Sequence, residues 1–248
     1  MGQLARRLIS SGLLAIWSCG VQAETARIAV ATNFAPTAER LAADYAAASG
    51  NTVEIVGGAT GKLYAQIVAG APFDGFLSAD EATPAKLAKA GFGVAGSQFI
   101  YATGQLALWS ADATTDLADP LRALKSARQV AIANPDLAPY GKAAAETLAA
   151  LGLPADLEGR VVTGENIGQA QTLVASGAAD LGFVATSGVI GKAEGVFWAV
   201  PAEMHKPIRQ SAILLQRGRK NSSAAGFFAY LAQPEAKAAI KAAGYLSE

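Results

Sequence analysis

Short apolar runs alternate along the chain with longer stretches in which apolar residues recur every three or four positions. The short runs predict strands, and the longer stretches predict helices. The predicted strands cover residues 27–31, 52–56, 75–78, 99–109, 129–133, 160–163, 180–184 and 211–215. The predicted helices cover 37–48, 62–69, 84–90, 120–127, 142–151 and 168–176, followed by an Ala-rich stretch at 223–243 that Pro234 interrupts. This alternation predicts an α/β protein with parallel sheets covered by helices.

The number of predicted elements suits two α/β units of similar size. If the strands at 99–109 and 211–215 both cross between the units, the chain leaves the first unit, builds the second and returns. We therefore predict that residues 24–103 and 208–248 form lobe 1 and that residues 104–207 form lobe 2.

The first 23 residues have the pattern of a secretory signal peptide. Arg6 and Arg7 precede an apolar run at 8–17, and the small residues Val21 and Ala23 occupy the cleavage-determining positions. The apolar run is too short to anchor the chain across a bilayer. Cys19 would be a site of lipidation, but the bulky Trp17 before it argues against that. We expect an exported, periplasmic protein that begins at Glu24.

Composition narrows the class of protein. Twenty basic and twenty acidic residues, less the two arginines of the predicted signal, leave a mature net charge of 18 − 20 = −2. No basic patch indicates a nucleic-acid partner, and the mature chain has no cysteine and one histidine, His205, so a His/Cys metal site is excluded. We expect a monomer without a cofactor.

Four strand-to-helix turns carry glycine or neutral polar residues, near residues 33, 60, 140 and 167. Such turns gather at the carboxyl ends of parallel strands, where ligands bind. Helix N-termini offer unpaired N–H groups and a positive dipole, so these turns would bind an anion without a formal positive charge. Alternatively, the polar side chains simply cap the helices. We expect Lys62 and Lys142, beyond the capping positions, to be solvated.

The second of these turns, "GGATGK" at 57–62, is similar to a nucleotide phosphate loop only in part. Val56 stands where the first glycine of that motif belongs, and Leu63 stands where a hydroxyl should bind magnesium. It therefore fails as a nucleotide motif, although its backbone N–H groups can still face an anion.

Several stretches of the mature chain resemble the periplasmic molybdate-binding proteins that serve ABC importers. They are "ATNF" (31–34), "GATGKLYAQIVAGAPFDGFLSADE" (58–81), "ANPDLAPYGKAAAETL" (133–148), "GENIGQAQTLVASGAADLGFV" (164–184) and "IKAAGY" (240–245). The resemblance implies a two-lobed type II periplasmic binding protein. Each lobe would be a mainly parallel sheet flanked by helices, with the ligand in a cleft between the lobes.

The resemblance also implies which residues bind a tetrahedral oxyanion through its oxygens, with no protein ligand on the metal itself. Thr32 and Asn33 occupy the first binding turn as cap and ligand together, Thr60 the second, Tyr140 the third and the Ile167 backbone N–H the fourth. Many members have serine in the first turn and a tyrosine at the position of Ala185. Here Tyr140 would supply the phenol from a turn in which those members have a small residue.

The function implied by the resemblance is capture of molybdate, and of tungstate with nearly the same size and charge, for delivery to a membrane permease. An alternative is sulfate or another small oxyanion. A second alternative is an enzyme on the same fold, for which the four turns offer only Glu165 as a general base. Since a carboxylate beside a dianion is repulsive, we expect Glu165 to face away or to cap a helix.

Overall fold

The computed structural model describes residues 24–191 and 194–246, so the predicted signal peptide and Cys19 lie outside the described residues. Two five-stranded mixed sheets, each flanked by helices, form two lobes. No helix among the described residues is both long and apolar enough to cross a membrane.

Lobe 1 is built on a sheet with the strand order β2-β1-β3-β10-β4. Its strands are β1 (Thr25–Ala31), β2 (Thr52–Gly58), β3 (Gly75–Leu77), β4 (Phe99–Gly104) and β10 (Ile208–Leu214). Strand β1 runs parallel to β2 and β3, whereas β10 runs antiparallel to β3 and β4.

Five helices cover the two faces of the first sheet: α1 (Ala35–Ser49), α2 (Thr60–Val68), α3 (Ala82–Lys89), α7 (Ser222–Leu231) and α8 (Pro234–Ala242). One core, around Ile28 and Phe227, lies beneath α1, α7 and α8. The other, around Leu63 and Phe76, lies beneath α2 and α3. The sheet is buried on both faces, which explains the continuous apolar run 28–31 of β1 and the absence of polar side chains from β3.

Lobe 2 is built on a sheet with the strand order β7-β6-β8-β5-β9. Its strands are β5 (Leu106–Ser110), β6 (Val130–Ala133), β7 (Val161–Gly164), β8 (Leu181–Ala185) and β9 (Val196–Ala199). Its helices are α4 (Pro120–Ser126), α5 (Pro139–Ala150) and α6 (Ile167–Ala175). Leu108, Leu148 and Phe183 lie in its core.

The predicted strand 99–109 is two strands in the structure. β4 belongs to the first sheet and β5 to the second, with Gln105 between them. The lobe boundary that we predict after residue 103 therefore falls at the end of β4. β10 brings the chain back to the first sheet, and Leu246 pairs with Thr103 near the end of β4.

Two further details differ from the sequence predictions, and one agrees with them. The sheets are mixed, because β10 in the first sheet and β5 in the second run antiparallel to the three parallel strands beside them. As predicted, the apolar stretch 223–243 is interrupted at Pro234, where α7 ends and α8 begins, since proline starts a helix well but cannot continue one. Strand β9, partly exposed at a sheet edge, was not predicted from the sequence.

Candidate functional site

A small cavity lies between the lobes, where the N-terminal ends of α1, α2, α5 and α6 meet. It is lined by residues of all four turns: Ala31, Thr32, Asn33, Gly58, Ala59, Thr60, Ala79, Ala138, Pro139, Tyr140, Asn166 and Ile167. The volume of this cavity is about 10 Å³. Since pockets for ordinary small molecules measure roughly 300–1,000 Å³, the lobes are closed around a site for a ligand of at most a few atoms.

The structure brings all five sequence-predicted site residues to this one cavity. Thr32 and Asn33 come from the turn between β1 and α1, and Thr60 is the first residue of α2. Tyr140 and Ile167 come from the first turns of α5 and α6, on the second lobe. Their roles as ligands of an anion remain a prediction at this point.

The helix starts at the cavity are mostly uncapped, contrary to our expectation that Thr32 and Asn33 act as caps as well as ligands, and contrary to the alternative in which the polar side chains simply cap the helices. The N-cap positions of α1, α2 and α5 are Phe34, Ala59 and Ala138, and none makes a side-chain capping bond. Of the four helices, only α6 has such a bond, in which the Gln169 N–H donates to Asn166 Oδ1 at 3.0 Å. Among the described residues, no side chain occupies the first-turn N–H groups of α1, α2 and α5, and the N–H groups of Thr60 and Tyr140 have no hydrogen-bond partner, so they remain available to an anion.

Two threonine hydroxyls add donors to these N–H groups. Thr32 Oγ1 is buried and has no hydrogen-bond partner among the described residues. Thr60 is 3% exposed, and its Oγ1 accepts a bond from the Ala79 N–H at 3.4 Å. Because a hydroxyl that accepts one bond still has its hydrogen to donate, both side chains can serve an acceptor in the cavity.

The side chain of Asn33 is used differently from our expectation that its amide faces the ligand. Its Nδ2 donates to Gln210 Oε1 at 2.8 Å and approaches the Tyr245 hydroxyl at 3.4 Å, while its backbone carbonyl accepts from that hydroxyl at 2.7 Å. Both amide hydrogens are thus directed into the protein. What Asn33 can offer the cavity is therefore its backbone N–H rather than its side chain.

Tyr140 is 1% exposed, and its hydroxyl extends from lobe 2 to strands β4 and β10 of lobe 1. Its hydroxyl oxygen lies 3.4 Å from Gln210 Nε2. Burial is the main reason that the pKa of the Tyr140 phenol lies well above its usual value, followed by the nearby Tyr245. The phenol is therefore a neutral hydrogen-bond donor throughout the physiological pH range.

No charged side chain is among the residues that line this cavity in the described parts of the chain. The nearest charges form an exposed pair at its edge, where Lys62 of lobe 1 contacts Glu165 of lobe 2. Lys62 is exposed, as we expect from the sequence, and its ammonium also pairs with a carboxylate of the other lobe. Glu165 does not line the cavity, and the capping residue of α6 is Asn166.

Close contacts join the two lobes around the cavity. The Gly61 N–H at the start of α2 donates to the Leu137 carbonyl of lobe 2 at 2.9 Å. A Cβ placed on Gly168 of α6 would lie only 2.6 Å from Thr32 Cγ2. The lobes are thus in a closed arrangement, in which the Gly168 backbone lies against the first turn of lobe 1.

Two buried residues of the site, Gln210 and Tyr245, were not predicted as site residues from the sequence. Together with Asn33 and Tyr140 they form the inner part of the site, which we call the deep end. Gln210 is fully buried on β10. A polar residue on the same strand face as Ile208 was a usable signal, but the predicted strand began only at Ser211. Tyr245 belongs to the "IKAAGY" stretch (240–245) that contributes to the family resemblance, but the resemblance implies no ligand-binding role for it. Among the described residues, no group of three or more His, Cys, Asp and Glu side chains could hold a metal ion.

The fold and the cleft between the lobes define a solute-binding protein, and comparisons with known proteins agree. The family model described as "Bacterial extracellular solute-binding protein" matches residues 26–246. This chain belongs to that family.

Similar proteins include two with the printed name "Molybdate-binding protein ModA". The protein from Rhodobacter capsulatus is 45% identical over 89% of this chain and 87% of its own length. That from Azotobacter vinelandii is 43% identical over 96% of this chain and 94% of its own. A solved structure of the Azotobacter vinelandii periplasmic molybdate-binding protein matches with a TM-score of 0.85 and 42% identity, covering 90% of this chain and 99% of that one. The two-lobed type II binding-protein fold is thereby shown.

Proposed function

We propose that this protein captures molybdate, and tungstate equally well, in the periplasm and delivers it to the membrane permease of an ABC importer. The proposal is supported by the relatives that are named for molybdate binding and that align over most of this chain. Membership of the extracellular solute-binding family supports delivery to a transporter rather than catalysis.

One structural observation carries the proposal to the level of the site: three uncapped helix N-termini and the unpartnered Thr32 hydroxyl converge on one small interlobe cavity. N–H and O–H donors in this arrangement match the oxygens of a small anion. Tyr140 and Thr60 would donate through their hydroxyls, and Asn33 and Ile167 through their backbone N–H groups. The metal of the oxyanion would receive no protein ligand.

The uncharged lining also determines which anions are expected to bind. Fixed neutral donors select by distance and geometry, whereas lysine or arginine would attract many anions. Molybdate and tungstate differ little in size and charge, so we expect them to bind alike. Sulfate is smaller and would leave some donors too far away. Hydrogen phosphate carries a proton that needs an acceptor, and no carboxylate lines the cavity to provide one.

The test is a panel of oxyanions on the ligand-free mature protein, using thermal shift and then isothermal titration calorimetry. A ligand that binds only the native state raises the free energy of unfolding by about 2.7 kcal/mol at a concentration of 100 Kd. We expect the tightest binding for molybdate and tungstate, weaker binding for sulfate and none measurable for phosphate. Tighter binding of sulfate than of molybdate would make this a sulfate-binding protein, and the proposal would be wrong.

A further inference from the structure

Gln210 has a fully buried side-chain amide that lies 3.4 Å from the hydroxyl of Tyr140, one of the residues that line the cavity. It lies on β10, next to a register shift between Gln210 and Ser211. A buried primary amide is unfavourable unless its oxygen and its NH₂ group are both paired. The partners of Gln210 are therefore informative about what its side chain does.

Two donors lie on the oxygen side of this amide. Asn33 Nδ2 donates to Gln210 Oε1 at 2.8 Å. The Tyr101 hydroxyl lies 3.1 Å from the same atom and 3.1 Å from the Ser78 carbonyl, and its one hydrogen can be donated to either acceptor. An amide NH₂ could not accept the bond from Asn33, so Asn33 fixes which way the Gln210 amide is turned. Its NH₂ group must then face the opposite side.

On that opposite side lies the phenol of Tyr140, with its oxygen 3.4 Å from Gln210 Nε2. The Tyr140 oxygen accepts in this contact, so the hydrogen of the phenol is left to donate elsewhere. A glycine makes the approach possible: a Cβ on Gly104 would lie 2.1 Å from the Tyr140 oxygen and 2.8 Å from Gln210 Nε2. The lack of a side chain at Gly104 thus leaves room for the contact between Tyr140 of lobe 2 and Gln210 of lobe 1.

We propose that Gln210 is a positioning residue for the oxyanion site, which directs the phenolic hydrogen of Tyr140 into the cavity. The oxygen of Gln210 is occupied by Asn33 of lobe 1, and its NH₂ group meets Tyr140 of lobe 2. If the amide were turned the other way, its oxygen would take the phenolic hydrogen and the cavity would lose a donor. The inference rests on the proposed function only in requiring a ligand with acceptor oxygens.

A double-mutant cycle with Gln210→Met and Tyr140→Phe tests this role. Calorimetry with molybdate at neutral pH gives Kd for the parent, both single variants and the double variant. We expect Gln210→Met to weaken binding by roughly tenfold in the parent, the full effect of one donor to a charged ligand. In the Tyr140→Phe background it should change Kd by less than about twofold, because no phenolic hydrogen is left to direct.

The matched control is the cycle of Gln210→Met with Thr60→Val. Thr60 lines the same cavity but shares no hydrogen bond with Gln210 among the described residues. The two effects on Kd should multiply in this pair. A purely structural role for Gln210 would give the same fold-change in every background, and that result would overturn the proposal.

If Gln210→Met does not fold, Tyr101→Phe tests the same role, since it removes a hydroxyl shared between the Gln210 oxygen and the Ser78 carbonyl and leaves Gln210 in place. We expect a two- to threefold loss of affinity that disappears in the Tyr140→Phe background. Tyr45→Phe, which removes a hydroxyl that contacts Asn51 instead, should leave Kd unchanged. An equal loss from Tyr101→Phe with and without the Tyr140 hydroxyl would overturn the proposal.

The parent titration separates failure of this inference from failure of the proposed function. If the parent binds another oxyanion more tightly than molybdate, the proposed function is wrong and the cycles are measured with that anion. The Gln210 inference then stands or falls on the coupling to Tyr140 alone.

Discussion

The two ends of the contact between the lobes are built from opposite chemistry. At the deep end, Asn33, Gln210, Tyr140 and Tyr245 form a buried, uncharged set of hydrogen bonds between 2.7 and 3.4 Å long. At the rim, Lys62 and Glu165 form an ion pair whose side chains are 50% and 34% exposed. Neutral donors keep their geometry when buried, whereas solvent screens an exposed ion pair. We therefore expect the deep end to select the ligand and the ion pair at the rim to contribute only weakly to closure of the lobes.

The deep end also includes the last described residues of the chain. The Ser187 hydroxyl of lobe 2 donates to Tyr245, and the Tyr245 hydroxyl donates to the Asn33 carbonyl in the first binding turn. Thr103 and Leu246 pair through two backbone bonds of 2.9 Å each. The C-terminal segment therefore contacts both lobes beside the first binding turn, and none of the contacts given for the described residues connects this segment to Lys62 or Glu165.

The largest effect is expected from the donors themselves. Thr60→Val removes a buried hydroxyl and keeps the shape of the side chain, which should cost about 1.5–3 kcal/mol with a charged ligand, or roughly tenfold to a hundredfold in Kd. Lys62→Ala should cost less, because the lysine lies at the exposed rim. Calorimetry with molybdate measures both. Thr60→Ser, which keeps the hydroxyl, should restore most of the affinity; equal losses for Thr60→Val and Lys62→Ala would instead indicate general charge attraction.

Next in size is a steric block of closure. Gly168→Ala would place a Cβ 2.6 Å from Thr32 Cγ2, and overpacking of this kind costs about 1–3 kcal/mol in the closed form. The open form has no such contact, and alanine is the better residue for a helix. We therefore expect roughly tenfold weaker molybdate binding together with an unchanged or higher melting temperature of the ligand-free protein.

Gly57→Ala is the control for this block, because a Cβ there would meet only Ala35 Cβ at 3.6 Å, an ordinary contact. It should leave Kd unchanged. A Gly168→Ala variant with the affinity of the parent would show that the lobes do not approach as closely in the bound state as they do here.

Tyr140→Phe separates binding from stability at the deep end. It keeps the ring and removes only the hydroxyl, so we expect a roughly tenfold increase in Kd, with little change in the ligand-free melting temperature. The opposite result, lower stability with unchanged Kd, would mean that the phenol serves the fold through Gln210 and not the ligand. Both quantities are measured on the same preparation, by calorimetry and by circular dichroism.

Sequence reasoning predicted most of the fold because its signals are local. Within the part of the chain that the structure describes, alternating apolar runs and helical spacing identified nine of the ten strands, with β4 and β5 joined in one prediction, and all eight α-helices. The strand β9 was missed because an edge strand that is partly exposed has no continuous apolar run. The break between β4 and β5 was missed because Gln105 lies between two apolar segments, and only the change of sheet separates them.

The candidate site was predicted at the level of turns, but not at the level of atoms. Helix starts with glycine or neutral polar residues identified the four turns that meet at the cavity. The direction of the Asn33 amide could not be predicted, because Gln210 and Tyr245, its partners, lie 177 and 212 residues away in the chain. Pairing of Lys62 with Glu165 depends in the same way on how the lobes close.

A small effect is expected from the rim. Glu165→Gln keeps the shape of the side chain and removes the charge that faces Lys62. Exposed ion pairs contribute about 0.2–1 kcal/mol, so Kd should rise less than about fivefold, and the difference from the parent should shrink as salt is added. Glu54→Gln, which breaks the Arg27–Glu54 pair within lobe 1, is the matched control and should leave Kd unchanged. A tenfold or larger loss from Glu165→Gln would contradict the assignment of ligand selection to the deep end.

The smallest effect is expected from pH, because the deep end has no group that titrates near neutrality. Burial is the main cause that raises the pKa of Tyr245 to about 12, and it raises the pKa of Tyr140 and Tyr101 well above their usual values. Kd for molybdate should therefore change by less than about twofold between pH 6.5 and pH 9.

Above neutral pH, stability should respond to pH through the buried tyrosines. In the unfolded chain a tyrosine loses its proton near pH 10, whereas folded Tyr245 keeps its proton to about pH 12. The unfolded state thus releases protons first, so the free energy of unfolding holds below about pH 10 and falls as the pH rises from there toward 12. Calorimetry across the neutral range and denaturant unfolding at alkaline pH measure the two parts. A tenfold change in Kd between pH 6.5 and pH 9 would require a titrating donor at the anion, and the contrast between a neutral deep end and a charged rim would not hold.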